Sequence, residues 1–190
     1  MEDYGIVIDY LPLGKPTDIK REPVAYLVGE RFFTLLEVIV KRNVPIQLHS
    51  KLYVGKDLNQ RKEVERIKGR VEYSELTGAA KNELKSAIRT IVKSRESDFI
   101  NFINKCGPVT IRLHQLELLP GIGKKHLEDI LKEREIKPFE SFDDLTKRVP
   151  HLLNPVEMIT ERIINEMSGK ERYYLFIKPP MPPTSDFRRR

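Results

Sequence analysis

Glycines and lysines able to hold an anion are concentrated in residues 118–134, LLPGIGKKHLEDILKER. Pro120, Gly121 and Gly123 punctuate this segment, and Lys124 and Lys125 follow directly. Leu127, Ile130 and Leu131 then recur at the i, i+3, i+4 spacing of a helix face. Leu113 and Leu116 precede the glycines on another helical run. The pattern predicts two helices joined by a short hairpin, the second opening at a basic, glycine-rich turn. Such a turn suits a phosphate. The first N–H groups of a helix have no intrahelical partner, and the positive end of the helix dipole lies beside them. Glycine permits φ > 0 and lets the backbone come close to a ligand.

The segment resembles the helix-hairpin-helix motif of DNA- and RNA-binding proteins. Leu119, Pro120, Gly121, Ile122 and Gly123 fill the hairpin, and Leu127 and Ile130 the helix after it. The resemblance implies one phosphate, bound without base reading by the N–H groups of Gly121, Gly123 and Lys124. The side chains of Lys124 and Lys125 would assist. In some members hairpin carbonyls hold a monovalent cation. The matching carbonyls here are those of Glu117, Leu119 and Ile122; no cofactor is expected beyond the K+ or Na+ that this resemblance allows at the hairpin. The motif also occurs purely as a packing unit. Downstream, Pro138, Phe139, Ser141, Asp144 and Leu145 are similar to the phrase that joins paired hairpins in DNA-uptake proteins. The second hairpin expected there is VPHLLNP at 149–155, without glycines. The second unit, 141–167, is therefore degenerate and is assigned no phosphate.

An enzymatic alternative comes from DNA glycosylases that use this hairpin, with a catalytic lysine just after it and an aspartate downstream. Lys125 and Asp143 match those two positions. The His and Arg that should follow the aspartate are absent, since Asp144, Leu145, Thr146 and Lys147 stand there. The long helical domain preceding the motif in those enzymes is also largely missing. A capping box at Ser141–Asp144 gives the region a structural purpose instead. His49, His114, His126 and His151 are scattered, and no HxH, HExxH, CxxC, GxSxG or Walker pattern appears. The expectation is a protein that is not an enzyme.

The chain has 190 residues, 39% of them apolar and 33% charged, which describes a soluble globular protein of one or two small domains. No apolar run approaches the ~20 residues of a membrane span, and the N-terminal segment has no basic run before an apolar one. A single cysteine, Cys106, excludes an internal disulfide. These features lead to the expectation of a cytoplasmic protein with no membrane partner. The net charge is +6, and residues 41–70 alone hold nine Lys/Arg against three carboxylates, an excess equal to that of the whole chain. Residues 111–170 hold ten basic and eleven acidic side chains. Positive charge in the helical part is therefore local to the hairpin, and the concentrated stretch suggests a polyanion partner.

Residues 4–11, 24–28, 31–40, 46–54 and 64–73 read as strands. Gly29 and Glu30 suit a tight hairpin turn. Strands of this number without intervening helices suggest a small barrel. From Ser74 the periodicity turns helical, with Ser74 capping residues 75–93 and a second helix at 97–105. Thr110 would cap the first helix of the hairpin motif, and Pro155 would open a last helix. Residues 171–178, ERYYLFIK, read as a strand returning to the barrel. Residues 179–190 form a Pro-rich, basic tail.

The opening EDYGIVIDYLPLGKP, the LPGIGKK hairpin and the closing YYLFIKPP together resemble an archaeal family of unknown function, DUF655. The resemblance implies an α+β protein: an OB-like β-barrel at 1–74 completed by 171–178, and a helical domain at 75–170 with the helix-hairpin-helix at 110–136. It also implies nucleic-acid binding, with RNA favoured over DNA. An OB groove would offer Lys41, Arg42, Lys51, Lys56, Arg66, Lys68 and Arg70 as cations, and Tyr53, Phe32, Phe33 and Tyr73 as aromatics. Adjacent Phe32 and Phe33 face opposite sides of a strand, so one of them belongs to the core. The alternatives are a duplex-DNA binder, or an adaptor in a ribosomal or transcription assembly.

Overall fold

Three strands carry almost unbroken apolar runs: β1 (Tyr4–Leu11), β2 (Val24–Gly29) and β3 (Leu35–Val40). A sheet with one wet face would alternate polar and apolar residues; here both faces are covered. Ile6, Ile8, Val24, Tyr26, Val28 and Ile39 pack on one side against helices. Val7, Ala25, Leu27, Leu36, Val38 and Val40 pack on the other. There they meet Leu52 and Val54, in and beside β4 (Lys51–Tyr53), and Val64 of β5 (Val64–Arg70). The computed structural model describes residues 1–16 and 18–178, so the basic tail lies outside the described residues.

The sheet is antiparallel in the order β4-β1-β2-β3-β5. Register shifts between Val7 and Asp9, between Glu37 and Val38, and between Ile39 and Val40 bend the strands. The sheet curls into a half-barrel, with β4 and β5 as its two edges.

Thr77 caps α1 (Gly78–Ser94) by accepting the N–H of Ala80, and donates its own hydroxyl proton to Asp9 on β1 at 2.5 Å. Ala80, Leu84, Ala87, Ile88, Ile91 and Val92 are its buried face. One continuous core runs from the sheet through α1 and α2 (Glu96–Lys105) to α4 (Phe142–Arg148) and α5 (Pro155–Met167). Between α2 and α4 come a two-stranded ribbon, β6 (Pro108–Thr110) and β7 (Leu113–His114), a 3-10 turn (Gln115–Leu118) and α3 (Lys124–Ile136).

Several local expectations give way to a competing hydrogen bond. The strand expected at 31–40 begins only at Leu35, and Gly29-Glu30 is no tight turn. The intervening loop wraps the carboxylate of Glu2, which accepts the N–H groups of Arg31, Phe32 and Thr34 at 2.9–3.1 Å. A Cβ at Gly29 would sit 2.1 Å from that carboxylate carbon, so glycine is required by close approach. Phe33 is buried at φ +55°, as the core member of its pair. The strand expected at 46–54 is reduced to β4, and the one at 64–73 ends at Arg70. Ser74 lies in a 3-10 turn, and the cap is Thr77.

The strand expected at 171–178 does not form. The N–H groups of Leu175, Phe176 and Ile177 all converge on the buried carboxylate of Glu166 in α5, at 2.8–3.1 Å. Three successive amides turned toward one acceptor cannot also run along a sheet edge. The segment docks instead on helices, with the Phe176 ring edge-on to Phe99 and Phe102 of α2 at 5.4 and 5.1 Å.

Candidate nucleic-acid interface

The glycine-rich turn is anchored from within and open outside. Leu116, Leu119 and Ile122 are buried, so the Ile122 side chain points into the core. Its N–H is also engaged, donating to the Leu119 carbonyl at 3.1 Å. Ile122 therefore positions the turn and offers no free donor. Gly121 takes φ +85°, the left-handed region that glycine tolerates. Gly121, Gly123, Lys124 and Lys125 are all exposed. Of the three carbonyls considered for a monovalent cation, that of Leu119 already accepts the Ile122 N–H.

Gly123 is the N-cap of α3, and the first intrahelical bond runs from Leu127 N to Gly123 O. The N–H groups of Lys124, Lys125 and His126 precede that bond. No side chain caps them, and no carboxylate stands in the first turn. A Cβ built on Gly123 meets no atom within 4 Å, so the space before these amides is open. His126 closes the turn from behind, with Nδ1 3.1 Å from the Gly121 carbonyl. The preceding carbonyl, Leu118 O, is held by Arg162 of α5 at 3.1 Å.

The limb before the turn is not an α-helix from Thr110. It is the β6–β7 ribbon followed by the 3-10 turn. His114 accepts the Leu116 N–H at 3.1 Å, while Glu117 accepts the His114 N–H at 2.7 Å. This reciprocal cap starts the turn four residues after Thr110.

The segment expected as a degenerate second hairpin contrasts with the glycine-rich turn. Asn154 caps α5 by accepting the N–H groups of Val156 and Glu157 at 2.9 and 3.3 Å, and Glu157 adds negative charge to that first turn. Two of the amides at the start of α5 are thus already satisfied. Leu153 lies over Gly121, where an added Cβ would stand 2.3 Å from Leu153 Cδ1. Ser141 caps α4 as expected, accepting the Asp144 N–H at 3.1 Å. The Asp144 carboxylate reaches one residue further back, to Glu140 N, and this hydrogen bond, with Arg148, holds its pKa below the usual carboxylate value. Lys125 and Asp143 occupy exposed positions in the first turns of α3 and α4.

The sheet cations are brought together unevenly. Lys68 sits between Asp18 and the buried Glu37, 2.8 Å from each. Arg66 pairs with Glu22 at 2.7 Å, and Lys51 with Glu30 at 2.6 Å. Three of the seven cations are thus partly neutralised by acids outside residues 41–70. Lys41 donates to the Arg61 carbonyl at 2.5 Å. Among the described residues Lys41, Arg42, Lys56 and Arg70 are exposed and form no ion pair. Tyr53 is half-buried, its ring edge-on to Tyr4 at 5.2 Å and its hydroxyl filling the space beside Gly55. It packs within the fold more than it presents a platform.

Residues 1–178 match the family model described as a protein of unknown function, DUF655. The chain belongs to the DUF655 family. A relative, uncharacterized protein MJ0038 of Methanocaldococcus jannaschii, is 44% identical over 179 residues, covering 93% of this chain and 80% of that protein. The crystal structure of Af1531 from Archaeoglobus fulgidus, a DUF655 member, is similar with a TM-score of 0.86 at 43% identity. That likeness covers 93% of this chain and 100% of the other. The DUF655 resemblance read from the sequence is borne out, as is the α+β class. No helix among the described residues is long and apolar enough to cross a membrane.

The supports of the turn escaped the sequence reading. Arg162 and Glu166 are both buried and paired at 2.8 Å. Their signal was an Arg and a Glu four apart on the buried side of α5, beside Ile159, Ile163 and Met167, whereas such a pair ordinarily marks a solvated face.

Proposed function

We propose that this DUF655 protein is a non-catalytic nucleic-acid-binding protein that holds a backbone phosphate at the N-terminus of α3. The observation that carries this reading is the uncapped, carboxylate-free first turn behind Gly123, with Lys124 and Lys125 exposed beside it. We read 113–136 as a helix-hairpin-helix whose first helix has shortened to a 3-10 turn, and the half-barrel as OB-like. In this reading the exposed cations Lys41, Arg42, Lys56 and Arg70 extend the phosphate contacts along the sheet. Single-stranded RNA is favoured over duplex DNA, because exposed cations at strand ends of a curled sheet suit a flexible backbone.

The test is a titration of wild type and Gly123→Val against single-stranded RNA, duplex RNA and duplex DNA. Gly123 has extended φ and ψ and an empty Cβ position, so valine fits without clash, at about 1 kcal/mol for the poorer cap. Its bulk stands in front of the amides. Single-stranded RNA should bind most tightly, and the variant should bind it about tenfold more weakly at an unchanged circular-dichroism spectrum. Unchanged affinity would make the turn a packing unit only, and preference for duplex DNA would replace RNA as the ligand.

A further inference from the structure

A surface cavity lies where three chain segments meet at one end of the sheet. β1 ends there, β2 begins, and the chain leaves β3. Its volume is about 630 Å³, within the range of small-ligand sites and several times the size of a bare phosphate. Arg21 and Arg42 line it together with Tyr10, Asn43, Pro12 and Pro23, and no carboxylate does. Both arginines are exposed and form no ion pair among the described residues. The neighbouring acid, Glu22, is committed to Arg66. Two guanidinium groups lining one cavity without a counter-charge suit an anion that takes paired hydrogen bonds, such as a phosphate.

The rest of the lining asks for more than an anion. Tyr10 is half-buried and packs against the second core, which fixes its ring while leaving part of it to the cavity. An ordered aromatic beside two arginines can stack a base whose phosphate the arginines hold. Asn43 sits in the left-handed region at φ +65°, and its amide can donate to and accept from a base edge.

We infer that this cavity binds one nucleoside phosphate, with Arg21 and Arg42 on the phosphate and Tyr10 against the base. This deepens the nucleic-acid reading above and rests on it where the nucleotide belongs to a strand. A free mononucleotide presents the same chemistry, and the experiment separates the two sources.

The full chain is titrated with AMP, adenosine and inorganic phosphate by NMR, and with a labelled eight-nucleotide RNA by fluorescence anisotropy. Wild type, Arg21→Ala/Arg42→Ala, Tyr10→Leu and Gly123→Val are compared. AMP should shift resonances of Tyr10, Arg21 and Arg42 at concentrations where adenosine and phosphate do not, and the arginine double variant should lose this response. Gly123→Val should keep it, because the hairpin is elsewhere. Where the source is a strand, AMP is silent and the arginine variant binds the oligonucleotide about tenfold more weakly. If Tyr10→Leu fails to fold, the arginine pair still decides, since both side chains are exposed. Silence of AMP together with unchanged oligonucleotide affinity in the arginine variant would overturn the cavity as a site. Loss of RNA affinity in Gly123→Val alone would then leave the hairpin reading standing.

Discussion

Gly123 shows what an open helix start costs and provides. A Ser, Thr, Asp or Asn there would satisfy an amide that glycine leaves free, and glycine is weaker as a cap by a few tenths of a kcal/mol. Gly123→Asp should therefore raise the melting temperature slightly, by cap and helix-dipole stabilisation, while a carboxylate occupying the amides weakens RNA binding at least about tenfold. Calorimetry and a binding titration on the same sample check both halves. A variant that gains stability and keeps affinity would remove the amides from the interface. Lys124→Ala should leave the fold intact and reduce the salt slope of binding by about one. The glycines and the two lysines were legible in the sequence because their signal is local. The neutralisation of Arg66 and Lys68 was not, since their partners Glu22 and Asp18 stand 44 and 50 positions away.

The elements carry their own tests. Glu157 of α5 binds Arg89 of α1 through both carboxylate oxygens at 2.5 and 2.6 Å, and Lys85 stands 3.5 Å away. The Arg89 guanidinium holds its carboxyl below the ordinary 4.5. A lowered carboxylate pKa contributes stability above the unfolded value, and that contribution disappears as pH falls through the folded value. The melting temperature of wild type should thus exceed that of Glu157→Gln near neutrality. The gap should close as acid protonates the carboxylate, and narrow in high salt because the pair is half-exposed. A gap independent of pH would assign the effect to helix packing. The helices with a long apolar stripe, α1, α2 and α5, were legible at this scale. The limb before the hairpin was not, because the cap between His114 and Glu117 outcompetes helix formation from Thr110. Glu2 likewise rewrites the β2–β3 turn from a distance of 29 to 32 residues, which no local turn signal carries.

Across the whole molecule, the position of the glycine-rich turn depends on a buried ion pair and the last segment it captures. Arg162 reaches Leu118 O before the turn, the Tyr173 carbonyl and Glu171, while Glu166 collects three amides of 175–177. Removing Glu166 leaves the buried Arg162 with only the partly exposed Glu171 as counter-charge and strips three amides of their acceptor. Glu166→Ala should cost about 3–5 kcal/mol and lower the melting temperature on the order of 10 °C. A loss below about 1 kcal/mol would show the C-terminal segment to be loosely held. The β-then-α order and the family were legible from end to end. The docking of 171–178 on helices was not, since ERYYLFIK has a strand's composition and only a buried acceptor in another element turns its amides aside. In the proposed role these elements together hold several phosphates of a nucleic-acid backbone. Measured most directly, the logarithm of single-stranded RNA affinity should fall linearly with the logarithm of salt concentration, with a slope corresponding to several phosphates. A flat salt dependence, or no binding at low salt, would contradict it.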